Sequence, residues 1–537
     1  MTRSWLYGAA LSLLALPAIA GQPYHPAGTS LSLGNAAHPS SVKSLSQHNP
    51  SAASGQRRDG ISMGIFGIGF GYEVGPLDDF DDLFTGVEDS AEELSTTMES
   101  INGDMENSGS PEEALDALLA GFAGIADVES SINDVLDKLA KDGYVAVSVM
   151  GSPPIVPLTI THDNLRGTLT VGYEQSVRGR LSILHKDPIA TGFGNLPQSS
   201  DDYCIGSDRD EAGCDDDQYL YNTDTGNIQD PDDETISLDA LDDGFSLESS
   251  GAYIQTAYLK SFSLGFGREV WRNYYGILHA GGRLNRHSAD LSRTAVFFSD
   301  DPDSSLQDSF KENTESSDSL GADIGVLWTA RYYQLGASIS NLIEPRFDYP
   351  AIPRECDGNT TCELLNEYVD AGILERRAQW VMERQLTLEA AAHSDDGNWH
   401  VGMSYDVNPT PGPAGADFGD EFQWFTLGAT FDATSLFLPA LRLGYRKNMA
   451  GSELSYVTAG TTLFGGLNVD LAMSNETVDS SPRSYYLNIG ARVRVGCHEK
   501  GATVLPPWPL RASHAGVRRR DQTSSPGSRR TFFSFGR

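Results

Sequence analysis

Beyond residue 20 the chain has no apolar run of the roughly 20 residues that a membrane-crossing helix requires. Any passage through a bilayer must then be made by strands. Cysteine is scarce, 5 in 537 residues, with no CxxC and no neighbouring histidine to complete a tetrahedral zinc set. There is no H-E-x-x-H, no EF-hand spacing with its central Gly and final Glu, and no metal-spaced pair among the 11 histidines. No catalytic residue, metal site or cofactor is expected. Basic residues are few, 38 Lys and Arg against 74 Asp and Glu, a net charge of −36. A surface of that sign repels nucleic acid, so no nucleic-acid partner is expected for the body of the chain.

Three short matches to catalytic patterns lack their structural context. Ser62 in GISMG (60–64) would need a turn between a strand and a helix, but a strand pattern follows it. Asp224-Thr225-Gly226 has no second D-[TS]-G to share a proton with. Gly67, Gly69 and Gly71 alternate within a strand pattern and do not open a helix as a dinucleotide site would.

What is present starts at the N-terminus. Arg3, the apolar run 5–16 and Pro17-Ala18-Ile19-Ala20 make a cleavable secretory signal over 1–20, and Gly21 offers no lipidation cysteine. In an oxidising compartment the two close cysteine pairs, Cys204 with Cys214 and Cys356 with Cys362, read as disulfides that close small loops. The acidity is concentrated. Residues 78–142 hold 19 acids and 2 bases, 201–234 hold 13 and 1, and 299–319 hold 7 and 1. The last two read as solvated loops; Asp208, Asp210, Asp215, Asp216 and Asp217 lack the spacing of a cation loop. The first reads as a helical insertion, because Ser110 precedes Pro111 at a helix start and Ala114, Leu115, Leu118 and Leu119 share a face. Val128, Ile132, Val135, Leu136 and Leu139 form another face, before Lys138, Lys141 and Gly143 mark its end.

The rest alternates with period two. Phe66, Ile68, Phe70, Tyr72 and Val74 oppose Gly67, Gly69, Gly71 and Glu73, and similar patterns start near 322, 333, 425, 467 and 484. Several run about 9 to 12 residues, the length of a tilted strand crossing a bilayer. Trp271, Tyr274, Tyr275, Tyr332, Tyr333, Trp380, Trp399 and Trp424 fall near strand ends and suggest an interfacial aromatic girdle. The expected fold is all-β: an up-and-down transmembrane barrel of about 12 to 16 antiparallel strands over 61–496, with 155–185 the stretch whose pattern fixes that count least. A secreted β-sandwich or other surface β-rich binding protein is the alternative, since period alone does not say whether an apolar face meets lipid or a core.

Residues 32–60 are small, nearly free of acid and aperiodic. Within them, Gly34-Asn35-Ala36-Ala37 and His48-Asn49-Pro50-Ser51-Ala52 resemble the glycine-rich start and the N-P-A element of FadL-like outer-membrane proteins. Among these the chain is most similar to the TraF-type "conjugal transfer" outer-membrane family. The glycine-alternating first strand, the helical acidic insertion after it and the late run 441–448 followed by two more strands look alike too. Ser51 stands where the family carries Ala. The resemblance implies a barrel whose segment 21–60 sits in the lumen as a plug, in a superfamily whose best understood members pass hydrophobic small molecules. It also implies outer-membrane lipid, lipopolysaccharide and the barrel-assembly machinery as partners, and the cell outer membrane as location. A role in conjugal transfer is the companion expectation. With both termini periplasmic, insertion 78–142 would lie outside the cell. The basic stretch 497–537, with Arg518-Arg519-Arg520 and Arg529-Arg530, departs from barrels that end on an aromatic residue. It reads as a disordered extension that is not part of the fold, with a basic arm touching anionic lipid headgroups or nucleic acid as its rival.

Overall fold

The computed structural model describes residues 31–32, 49–55, 60–76, 96, 100 and 110–495, less short internal stretches, the longest at 187–195, 237–249 and 298–312. Asn35, His48 and the stretch 497–537 lie outside the described residues.

Fourteen wall strands follow one another around the ring, each antiparallel to its neighbours. They are β1 (Gly60–Val74), β2 in two pieces (Tyr144–Ser152 and Leu158–His162), β3 (Gly167–Leu184), β4 (Gly251–Arg272) and β5 (Ile277–Phe297). Next come β6 (Thr314–Thr329), β7 (Tyr333–Ser340), β8 (Gln385–His393), β9 (Trp399–Asp406) and β10 (Trp424–Phe431). β11 (Ala440–Asn448), β12 (Ser455–Leu463), β13 (Leu467–Ser474) and β14 (Ser484–Val495) complete the set. β14 pairs back onto β1, from Ile61↔Val495 to Glu73↔Ser484, and this closes the ring and leaves no edge strand.

The side-chain period decides which face meets what. Ile68, Leu284 and Leu443 expose 56%, 65% and 65% of their surface on the outer side. Their strand neighbours Gly67, Asn285 and Arg442 are buried on the inner side. An apolar outside around a polar inside is the reverse of a water-soluble sandwich and suits a wall surrounded by lipid. The sandwich alternative fails on this inversion.

Both chain ends of the barrel lie at one rim, which also carries tight turns such as 273–276, where Asn273 Oδ1 accepts from Tyr275 N at 2.9 Å and Gly276 N at 3.0 Å. Trp271, Tyr274, Tyr275, Tyr332, Tyr333 and Trp399 are exposed along this rim, as a girdle requires. Trp380 and Trp424 do not join it. They are 1% and 7% exposed and belong to internal clusters at the other rim, so their expected place in the girdle is corrected.

That other rim carries the long connections. Helix α1 (Pro111–Asp142) joins β1 to β2 and starts as its sequence requires, with Ser110 accepting from Glu113 N at 3.3 Å and Pro111 in the first turn. Ala114, Leu115, Leu118, Leu119, Ile132, Leu136 and Leu139 are buried, and Gly143 N closes the helix on Leu139 O at 2.8 Å. Between β3 and β4, a small sheet is tied by Cys204–Cys214, with a Cα separation of 5.4 Å. Burial there raises the Tyr203 phenol above its ordinary range. Between β7 and β8, helix α2 (Thr360–Asp370) and the Cys356–Cys362 bond belong to a segment that packs on the inner face of the tall strands β4 and β5. Arg293 of β5 holds it through three carbonyls, those of Pro350, Glu375 and Arg376, at 2.7 to 2.8 Å. The acidic stretch 299–319 is not all loop, because its last six residues are already in β6.

Candidate functional site

The inner face combines three features: an N-terminal plug, a ladder of charged pairs and a cluster of aromatics with arginines. Pro50, Ser51 and the short 3-10 turn Ala52–Gly55 lie inside the ring against β3, β4, β5 and β6. Asn49 donates to Val326 O at 3.2 Å and to the Glu389 carboxylate, and its own Oδ1 accepts from Ser51 N at 3.1 Å and Ser51 Oγ at 2.6 Å. The Asn thus turns the chain and pins it to β6 and β8 at once. Ser54 meets His279 Nδ1 at 3.1 Å, and Ala52 packs on Leu327. The wall makes room with glycine: a Cβ at Gly281 would stand 2.6 Å from the Pro50 carbonyl carbon.

A second described piece of the same segment, Leu31 and Ser32, rests on the other side of the ring. The Ser32 carbonyl oxygen occupies the space a Cβ at Gly428 would need, and Thr458 Oγ1 donates to Ser32 Oγ at 2.9 Å. Gly281 is on the fifth strand and Gly428 on the tenth, so the segment is seated on two well-separated parts of the wall. Of the plug residues expected from sequence, Asn49, Pro50, Ser51 and Ala52 are brought together here.

Around the plug the lumen is lined with paired charge. Arg442 reaches across to Asp470 through Nε at 3.1 Å and Nη2 at 2.8 Å, with Asp470 fully buried. Arg283 binds Asp323 at 2.7 Å, and Asn285 adds a 2.7 Å bond to the same carboxylate oxygen. Each pair joins strands of the wall and fills the interior with polar groups. Sequence could have located these side chains, because Arg442 and Asp470 fall on the polar side of otherwise apolar alternations.

Near the rim with the long loops, the aromatics gather. Phe422 and Trp424 stack at 6.3 Å and 14°, Tyr456 lies 5.9 Å from Trp424, and Tyr486 lies 5.5 Å from Tyr456. Leu31 of the plug packs in the same cluster. Arg178 of β3 stands over Phe422 at 5.1 Å, and Arg446 of β11 over Trp424 at 3.9 Å.

One interruption breaks the wall. β2 pairs with β3 up to Gly151↔Gln175 and again from Leu158↔Val171, and no ladder pair links 152–157 to 172–174. The cause is in the sequence. Pro153, Pro154 and Pro157 have no N–H to give, and six residues of β2 stand opposite three of β3. On the other side the contact with β1 is kept, by Ile155 N to Gly64 O at 2.8 Å and Gly64 N to Pro157 O at 3.0 Å. Ile155 is 62% exposed. Ser62 lies within β1 with no helix after it, and Asp224 lies in a turn, its N–H bonded to Asn222 Oδ1 at 2.9 Å. Neither is part of this site.

Residues 47–406 match the family model described as "F plasmid transfer operon, TraF, protein". No curated protein matches. Among solved structures, a FadL homologue of Pseudomonas aeruginosa is similar over 89% of this chain and 97% of its own, with 9% identity and a TM-score of 0.34. A TodX monoaromatic hydrocarbon channel with a deltaS2S3 change is similar over 87% and 98%, with 10% identity and a TM-score of 0.36. The matched region takes in the plug turn at Asn49, the insertion and nine of the fourteen wall strands, and on it the chain belongs to the F plasmid transfer operon TraF protein family.

Proposed function

We propose that this chain is an outer-membrane channel for hydrophobic small molecules, which enter from the long-loop rim and leave sideways through the break in β2. The observation that carries this reading is the unpaired stretch between β2 and β3, set in a wall whose outer side is apolar. The route straight down is unfavourable for an apolar solute. It would have to pass the seated plug and the Arg442–Asp470 and Arg283–Asp323 pairs, displacing charged hydrogen bonds without replacing them. A sideways exit puts the solute into lipid, where its transfer from water is favourable. On this reading the partners are outer-membrane lipid and lipopolysaccharide around the wall and the barrel-assembly machinery that inserts it.

The test is uptake of a neutral aromatic solute into liposomes holding the full chain, compared with a variant in which Pro153, Pro154 and Ile155 are deleted and Pro157 is replaced by Thr, so that three residues of β2 face three of β3 and the strands can pair continuously. Uptake by the parent and its loss in the variant support the exit; equal uptake by both overturns it. Family membership favours a second reading, in which the loop-bearing rim serves plasmid transfer. A mating assay with a deletion strain complemented by the full chain, or by a chain with the Cys204–Cys214 lobe removed, tests that reading. Unchanged transfer frequency in the deletion strain would discard it.

A further inference from the structure

The arginines at the loop-bearing rim are out of keeping with the rest of the chain. Its net charge is −36, yet Arg178, Arg180 and Arg446 all turn inward there, all buried. The nearby acids accept their hydrogen bonds from other groups, and Asp406 acts on Arg446 through space without a hydrogen bond between them. Glu73 accepts from Tyr144 Oη at 2.7 Å and Tyr456 Oη at 3.4 Å, and Asp406 accepts from Thr387 Oγ1 at 2.7 Å and Trp424 N at 3.2 Å. Arg446 is 1% exposed, and none of its three guanidinium nitrogens has a hydrogen-bond partner among the described residues.

The contact with Trp424 sets the guanidinium carbon 3.9 Å from the ring centroid, and a ring face gives the N–H groups no oxygen or nitrogen to bond. A buried cation left in this state costs several kcal/mol in general. An acceptor that meets it edge-on with two oxygens removes that cost, and a carboxylate has this shape. Arg178 comes from the third wall strand and Arg446 from the eleventh, so the two cations approach one stacked Phe422–Trp424 pair from well-separated parts of the ring. Tyr456 and Tyr486 supply further ring faces and edges beside it.

We propose that Arg446 and Arg178, with the Phe422–Trp424 stack, recognise a compact aromatic monoanion, an aryl carboxylate, so that the solute this barrel selects carries one negative charge on a flat apolar body. This deepens the channel reading and rests on it for the fate of the solute, but the recognition step is a binding event that can be measured without transport.

The experiment uses the full chain in nonionic detergent and follows tryptophan fluorescence or heat on titration with three probes. These are 2-naphthoate, its neutral analogue 2-naphthylmethanol, and decanoate, which has the carboxylate without the ring. The expected result is 2-naphthoate binding at least tenfold more tightly than either of the others. Arg446→Gln should lower its affinity to that of 2-naphthylmethanol, whose own binding should not change, and Arg446→Lys should keep part of the preference. Arg178→Gln should weaken 2-naphthoate by a smaller factor. Equal binding of 2-naphthoate and 2-naphthylmethanol, or a preference that survives Arg446→Gln, overturns the proposal. Decanoate binding as tightly as 2-naphthoate overturns its aromatic half. The unfolding midpoint of Arg446→Gln without ligand should equal or exceed the parent's, because an unpaired buried charge has been removed; a clear fall would make Arg446 a structural residue and also overturn the proposal. If the binding contrast holds and liposome uptake does not, the site stands and the channel reading fails. If uptake occurs without the contrast, the channel reading stands and the site fails.

Discussion

Thr458 donates to the Ser32 hydroxyl at 2.9 Å, joining two residues 426 positions apart, and Gly428 and Gly444 leave the space in which Ser32 lies. The wall is therefore shaped for the segment it encloses. Gly428→Val puts two methyl groups where the Ser32 carbonyl sits, while valine itself suits a strand. The barrel should still assemble and shift on boiling in detergent gels, but the segment around Ser32 should become protease-sensitive and single-channel conductance should rise several-fold. Unchanged protection would mean that Ser32 is not held by this wall.

The Arg442–Asp470 pair allows a sharper energetic test. Removing only the carboxylate, in Asp470→Ala, leaves Arg442 buried with an uncompensated charge, and the expected loss is about 3–5 kcal/mol. Replacing both, in Arg442→Leu with Asp470→Leu, should recover most of it. Urea unfolding in lipid vesicles measures each, and a single mutant as stable as the parent would show that water reaches the site.

Much of this is legible in the sequence, and the reasons are specific. Period two places Phe66, Ile68 and Phe70 together because successive side chains of a strand alternate, and a barrel wall keeps that alternation intact. Ser110-Pro111 marks a helix start because capping is local chemistry. The position of Trp424 near a strand end suggests a lipid interface, yet it is on the opposite face from Phe425, Leu427 and Ala429, and that parity carries the correction. The stacking of Arg178 and Arg446 on one aromatic pair is not legible. It depends on which strands meet across a closed ring, and strand pairing at that distance leaves no local mark.

The two disulfides close loops of 10 and 6 residues at the same rim, both outside the wall strands. Reduction should therefore loosen the lobes and spare the barrel. After dithiothreitol, gel migration of the unboiled protein should be unchanged, while proteolysis within 199–230 and 353–376 should accelerate. A barrel that lost its heat-dependent shift on reduction would contradict this division.

The assignment of faces predicts a contrast between neighbours. Leu443 is 65% exposed on the outer side of β11, and Arg442 beside it is 5% exposed and paired within. If the outer side meets hydrocarbon, Leu443→Arg should cost about 2–4 kcal/mol near the bilayer centre, because the new cation must snorkel or draw water into lipid. Leu443→Ala should cost far less. A surface facing water would give the reverse order, since an exposed arginine there is harmless. Urea unfolding of the three proteins in the same vesicles decides between them. The same substitutions in micelles should show a smaller gap, because detergent deforms around a buried charge more readily than a bilayer does.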